Sequence, residues 1–116
     1  MVGRNERFKD KVAIVSGGAD GMGAACVEQL AAEGARVFAL DVKEDMAKAL
    51  AARLSGAGAR VEALRADVLN ETEFKGALAT AIDAAGRVDV LVNIAGGSAA
   101  GLIAEIDLDV WDRLYR

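Results

Sequence analysis

Apolar residues fall along this chain in short runs, separated by longer stretches with helical spacing. Four runs read as strands: Lys11–Ser16, Arg36–Asp41, Arg60–Ala66 and Val88–Asn93. The first, second and fourth are nearly unbroken, as strands covered on both faces of a parallel sheet are. The third alternates through Val61-Glu62-Ala63-Leu64-Arg65, which places it at an edge with one face in water. Three amphipathic segments lie between them, at Met22–Glu33, Lys43–Leu54 and Glu71–Ala85, and a helix stub starts at Leu108. Cys26, Val27, Leu30 and Ala31 mark the face the first helix should bury. Met46, Leu50 and Leu54 do so in the second, and Phe74, Leu78 and Ile82 in the third. Each helix ends in glycine before the next strand: Gly34, then Gly56 or Gly58, then Gly86. Asn70 with Glu73 has the form of a capping box opening the third helix.

The order is β-α-β-α-β-α-β plus part of a helix. Right-handed crossovers make this an α/β fold with a doubly wound parallel sheet, strand order 3-2-1-4. No linker, internal repeat or second domain interrupts residues 1–116, so the expectation is one domain.

Composition narrows the picture. The 116 residues are 53% hydrophobic but only 4% aromatic, so the core must be built from Ala, Val, Leu and Ile. A net charge of −4 without a basic cluster argues against nucleic acid as a partner. The absence of histidine removes His-ligated metals and His-based triads. Cys26 is the only cysteine and reads as a small buried group in a reducing, cytoplasmic setting. The opening Met1–Arg7 is charged, unlike a signal peptide. No apolar run reaches the ~20 residues that span a membrane.

The chemistry gathers at the first strand-to-helix turn, Ser16-Gly17-Gly18-Ala19-Asp20-Gly21-Met22-Gly23. Backbone N–H groups at a helix N-terminus hold a phosphate, and glycines let the backbone approach it. The spacing of Gly17, Gly21 and Gly23 is Gly-x3-Gly-x-Gly; it is neither G-x-G-x-x-G nor a Walker A loop. Position between a strand and a helix favours a dinucleotide over a generic glycine-rich turn. Asp41 ends the second strand, eighteen residues past Gly23. A carboxylate there accepts the adenosine ribose hydroxyls of NAD and repels the extra phosphate of NADP. Asp20 adds negative charge on the same side, while Lys43 is weak evidence for NADP. The competing reading has Asp41 cap the next helix with Glu44 as its box partner.

On these residues the chain resembles the short-chain dehydrogenase/reductase family. The family signature Thr-Gly-x3-Gly-x-Gly is matched by Ser16, Gly17, Gly21 and Gly23, with serine keeping the hydroxyl. Asp67 and Val68 match an acidic-apolar pair that contacts adenine, although Asp67 alone also fits a simple turn cap. Asn93-Ile94-Ala95-Gly96 matches the family's Asn-Asn-Ala-Gly, with Ile94 departing from it. Val110-Trp111-Asp112-Arg113-Leu114-Tyr115 resembles the opening of the family's long interface helix, with Trp111 and Leu114 as packing residues.

The resemblance implies a Rossmann-type sheet without the later strands of the full family fold. It also implies hydride transfer between NAD and an alcohol or carbonyl. The implied cofactor-binding residues are Ser16, Gly17, Asp20, Gly21, Met22, Gly23, Asp41, Asp67, Val68, Asn93, Ala95 and Gly96.

The family's catalytic serine, tyrosine and lysine have no counterpart here. Tyr115 has one residue after it, and Ser98 lies too early. Without a positioned proton donor the chain alone is expected to be inactive. The fourth strand is left as an apolar edge, from which a homo-oligomer such as a dimer, a swapped assembly, or a longer protein of which this is the surviving part is expected. Three readings stay open: the cofactor half of an oxidoreductase, a stand-alone dinucleotide-binding module completed by a partner chain, and a structural remnant that binds nothing tightly.

Overall fold

All five residues of strand β1 (Val12–Ser16) are buried, as an unbroken apolar run requires when both sheet faces are covered. The structure, a computed structural model, describes residues 7–67 and 69–94. After β1 come α1 (Gly21–Ala32), β2 (Arg36–Asp41), α2 (Glu44–Gly56), β3 (Arg60–Arg65), α3 (Glu71–Ala85) and β4 (Val90–Asn93). The strands pair in parallel in the order β3-β2-β1-β4, the topology the pattern predicts. The bounds of β2 and α3 match the reading of the sequence; the other ends differ by a residue or two. The helix expected from Leu108 lies outside the described residues.

Alternate residues of the two central strands face opposite layers. Ala13, Val15, Val37 and Ala39 pack with Val27 and Leu30 of α1 and Leu50 of α2. Val12, Ile14, Phe38 and Leu40 pack with Ala77 and Ala81 of α3. The core is therefore aliphatic, as the composition demands, with Phe38 its one fully buried aromatic among the described residues.

Two predicted helix faces need correction. Met46 is 44% exposed and Ile82 is 45% exposed. In their place Ala47 and Ala51 line the buried face of α2 with Leu50, and Ala77 and Ala81 line that of α3. Alanine on the contact line lets a helix lie close to the sheet. The longer Leu54, Phe74 and Leu78 then flank that line, partly buried. Of the stripe on α1, Val27, Leu30 and Ala31 are buried and Cys26 is partly so. The left-handed glycine after α2 is Gly58 (φ 97°), because Gly56 still belongs to the helix.

The capping box at α3 is half formed. Asn70 Oδ1 accepts the Glu73 amide at 3.0 Å, but the Glu73 carboxylate pairs with Arg65 instead of returning to Asn70. Asn70→Ala should cost about 1 kcal/mol, read as a lower urea midpoint at unchanged slope.

β3 is one edge of the sheet, with Val61 buried and Arg60, Glu62 and Arg65 exposed. Among the described residues β4 pairs only with β1, and Leu91 is 53% exposed. No helix among the described residues is long and apolar enough to cross a membrane.

The approach to β4 is fixed by Asp89, whose Oδ2 accepts the Val12 amide at 2.9 Å. The Arg87 guanidinium, and then that amide, hold the Asp89 carboxyl below the usual aspartate range. A lowered folded-state value means the stabilisation is complete above about pH 4 and fades as pH falls further. Asp89→Asn should therefore flatten part of the acid limb of a stability-against-pH curve. It should leave the dependence above pH ~5 unchanged.

Candidate functional site

β1 stops at the buried Ser16, and the chain turns at Gly17 with φ 82°, a conformation in which a side chain would be strained. The Gly17 amide donates to the Leu40 carbonyl at 2.7 Å, tying the turn to β2. Gly18 is buried, and a Cβ there would lie 3.1 Å from the Ala39 Cβ and 3.2 Å from Val27 Cγ2. A Cβ on Gly23 would lie 1.7 Å from the Gly17 carbonyl oxygen. Gly23 is thus dictated by the loop's own backbone, in addition to any ligand's need for access.

Helix α1 begins with Asp20 at its N-cap position, yet the Asp20 side chain makes no capping bond. Its carboxylate is turned onto Lys43, whose Nζ donates at 2.8 Å. The first-turn amides are therefore left without a side-chain cap, at the positive end of the helix dipole. Met22, in the first turn of α1, is 74% exposed.

Asp41, at the end of β2, spans the gap between this loop and the next turn. Its Oδ2 accepts the Ala19 amide at 3.0 Å and its Oδ1 accepts the Lys43 amide at 2.9 Å. The alternative role as helix cap is not what the structure shows. Lys43 occupies the N-cap position of α2, and Glu44 pairs with Lys48 at 2.8 Å. The Lys43 ammonium has its pKa raised, first by the hydrogen bond it donates to Asp20 and by that carboxylate's charge, with a smaller part from Asp41. Val42, next to Asp41, is 48% exposed. Sequence reasoning passes over it, although an apolar residue directly after a strand-end acid is the available signal.

Asp67 follows β3. Its Oδ1 accepts the Leu69 amide at 2.9 Å and its carbonyl accepts the Asn70 amide at 2.9 Å, so it closes a turn. Asn93 pairs in register with Ser16, and the Ile94 amide donates to the Ser16 carbonyl at 2.9 Å. Ser16, the glycine loop, Asp41, Asp67 and Asn93 all sit at the carboxyl ends of parallel strands. Between β1 and β4 the strand order reverses, with α1 on one face and α3 on the other. That crevice is where doubly wound sheets hold ligands. Val68, Ala95 and Gly96, together with Ser98, Trp111, Leu114 and Tyr115, lie outside the described residues.

Comparison with known proteins agrees with this geometry. The family model described as short chain dehydrogenase matches residues 11–116. A 2,5-dichloro-2,5-cyclohexadiene-1,4-diol dehydrogenase of Sphingobium indicum is 36% identical over 108 residues, 93% of this chain and 43% of that protein. A 3-alpha-(or 20-beta)-hydroxysteroid dehydrogenase of Mycobacterium tuberculosis is 42% identical over 108 residues, 93% of this chain and 40% of that protein. The solved structure of a mutant Serratia marcescens short-chain dehydrogenase/reductase aligns with TM-score 0.87 and 39% identity. That alignment covers 92% of this chain and 44% of the other. The chain thus spans less than half the length of the relatives it matches. By the family match along nearly all of its length, and by the sheet and glycine loop it builds, the chain belongs to the short-chain dehydrogenase family.

Proposed function

We propose that this chain is the NAD-binding part of a short-chain-type oxidoreductase. The observation that carries this reading is the pairing of an uncapped α1 N-terminus with a strand-end carboxylate beside it. The residues fit the cofactor. The amides of Gly21, Met22 and Gly23 are suited to the pyrophosphate. Asp41 uses one oxygen on each neighbouring amide, and a carboxylate has about four acceptor sites, so lone pairs remain for two ribose hydroxyls. Val42 and Asp67 would border the adenine, with Val68 next to Asp67 in sequence. Asn93, with Ala95 and Gly96 after it in sequence, would border the nicotinamide half.

When bound, the cofactor supplies or accepts the hydride; the residues of this chain bind and orient it. Relatives whose names are those of dehydrogenases support an alcohol or its carbonyl as the substrate. No residue of this chain is assigned the proton transfer that such a reaction needs, so these 116 residues alone should bind without turning over. Among the described residues β4 pairs only with β1 and its Leu91 is exposed, which supports the second reading, a binding module completed by another chain or copy.

Titration with NADH, followed by its fluorescence, tests the reading. Saturable binding that NAD displaces is the expected outcome. No saturable binding by a folded chain would leave the structural remnant as the better description.

A further inference from the structure

Two bridges run side by side from the glycine loop to the turn after β2. In one, Asp41 accepts the Ala19 amide at 3.0 Å. In the other, the Lys43 ammonium donates to Asp20 at 2.8 Å. The Lys43 backbone is itself held by Asp41 at 2.9 Å. Lys43 therefore has its main chain against the carboxylate proposed to take the ribose, while its charge is drawn away toward the loop. The side chains of Lys43 and Asp20 are 55% and 49% exposed, so a ligand arriving at Asp41 meets both.

A phosphate on the ribose 2′ oxygen would arrive beside Asp41, and a flexible ammonium two residues away would be its natural partner. We propose that Asp20 is a specificity-determining residue that acts through Lys43. By holding the ammonium, it denies a 2′-phosphate the cation next to Asp41 and thereby favours NAD over NADP. This inference rests on the cofactor reading above.

The charge count points the same way. Asp20, Asp41 and Lys43 sum to −1, and neutralising Asp20 brings the sum to zero while releasing the ammonium. The raised pKa of Lys43 keeps that ammonium charged throughout the neutral range, so the competition is between anions and not between protonation states. The exchange needs no backbone movement, only rotation of the lysine side chain. An exposed pair of this kind contributes little to stability, and the Ala19–Asp41 bond still braces the loop. Replacing Asp20 should therefore leave the fold intact.

The test uses the full chain in four forms: unchanged, Asp20→Asn, Lys43→Gln, and both together. Each is titrated with NADH and with NADPH by fluorescence at low salt. Asp20→Asn should shift the affinity ratio toward NADPH by about tenfold, equivalent to about 1.4 kcal/mol. Lys43→Gln should barely move the ratio, because its charge is already engaged. The double variant should lose most of the gain, and 0.5 M salt should shrink it. An unmoved ratio in Asp20→Asn overturns the proposal. So does a double variant that keeps the whole gain, since Asp20 would then act by plain repulsion. If no form binds either coenzyme, the cofactor reading fails and carries this inference with it. NADH binding with an unmoved ratio sinks this inference alone.

Discussion

Gly23→Ala should abolish dinucleotide binding, with affinity for NADH falling at least ~100-fold, about 2.7 kcal/mol. The added Cβ would sit 1.7 Å from the Gly17 carbonyl oxygen, 2.6 Å from its carbonyl carbon and 3.0 Å from the Gly18 Cα. All three are backbone atoms of the loop, so no side-chain rotation relieves the clash. Either Gly17 swings out, spoiling the amide arrangement, or α1 lifts from β1. Overpacking of this kind costs about 1–3 kcal/mol of stability, so the variant should also unfold earlier in urea. Gly56→Ala is the matched control. Nothing lies within 4 Å of its Cβ position, and it sits at the end of α2. It should bind NADH normally and be as stable as the unchanged chain or slightly more so. Equal binding by the Gly23 and Gly56 variants would show that the glycine loop does not form the site.

Asp41→Arg should invert coenzyme preference. The substitution removes the acceptor of the Ala19 and Lys43 amides and places a cation where a carboxylate stood. NADH affinity should fall at least ~10-fold. The NADPH-to-NADH ratio should rise by ~100-fold, because a 2′-phosphate exchanges repulsion for a charge-assisted partner. Asp41→Asn separates the two effects. It keeps one acceptor for the amides and loses the repulsion, so the ratio should rise while the loop stays braced. Fluorescence titrations with both reduced coenzymes give the ratio directly. A ratio unchanged by Asp41→Arg would remove Asp41 from the ribose site.

Much of this was legible in the residues. Apolar runs such as Val12–Val15 and Val37–Leu40 read as strands covered on both faces, and the alternating β3 as an edge. With glycine loops between, right-handed crossovers leave little freedom in strand order. The helix faces were less legible, because hydrophobic size is a misleading guide where small residues make the closest contact. Ala77 and Ala81 take the line against the sheet, and Ile82, about 100° further round the helix, turns outward.

At the site, the positions of Gly17, Gly23 and Asp41 follow from local spacing. What Asp41 does with its two oxygens does not, since the Ala19 amide reaches it only after the first βα turn folds over the end of β2. The Asp20–Lys43 pair is hidden for the same reason: its partners are far apart in sequence and meet only because β1 and β2 are adjacent. Asp67 shows the opposite limit. Taken alone it fits a turn cap, and its bond to the Leu69 amide is such a local contact.

The most direct measurement is a two-dimensional amide NMR titration of the full chain with NADH. The amides of Gly17, Ala19, Met22, Gly23 and Val42 should shift and saturate together, while those of Arg36 and Arg60, at the opposite ends of their strands, stay fixed. Saturating shifts centred on Arg36 and Arg60, or none anywhere in a folded chain, would contradict a dinucleotide site at the glycine loop.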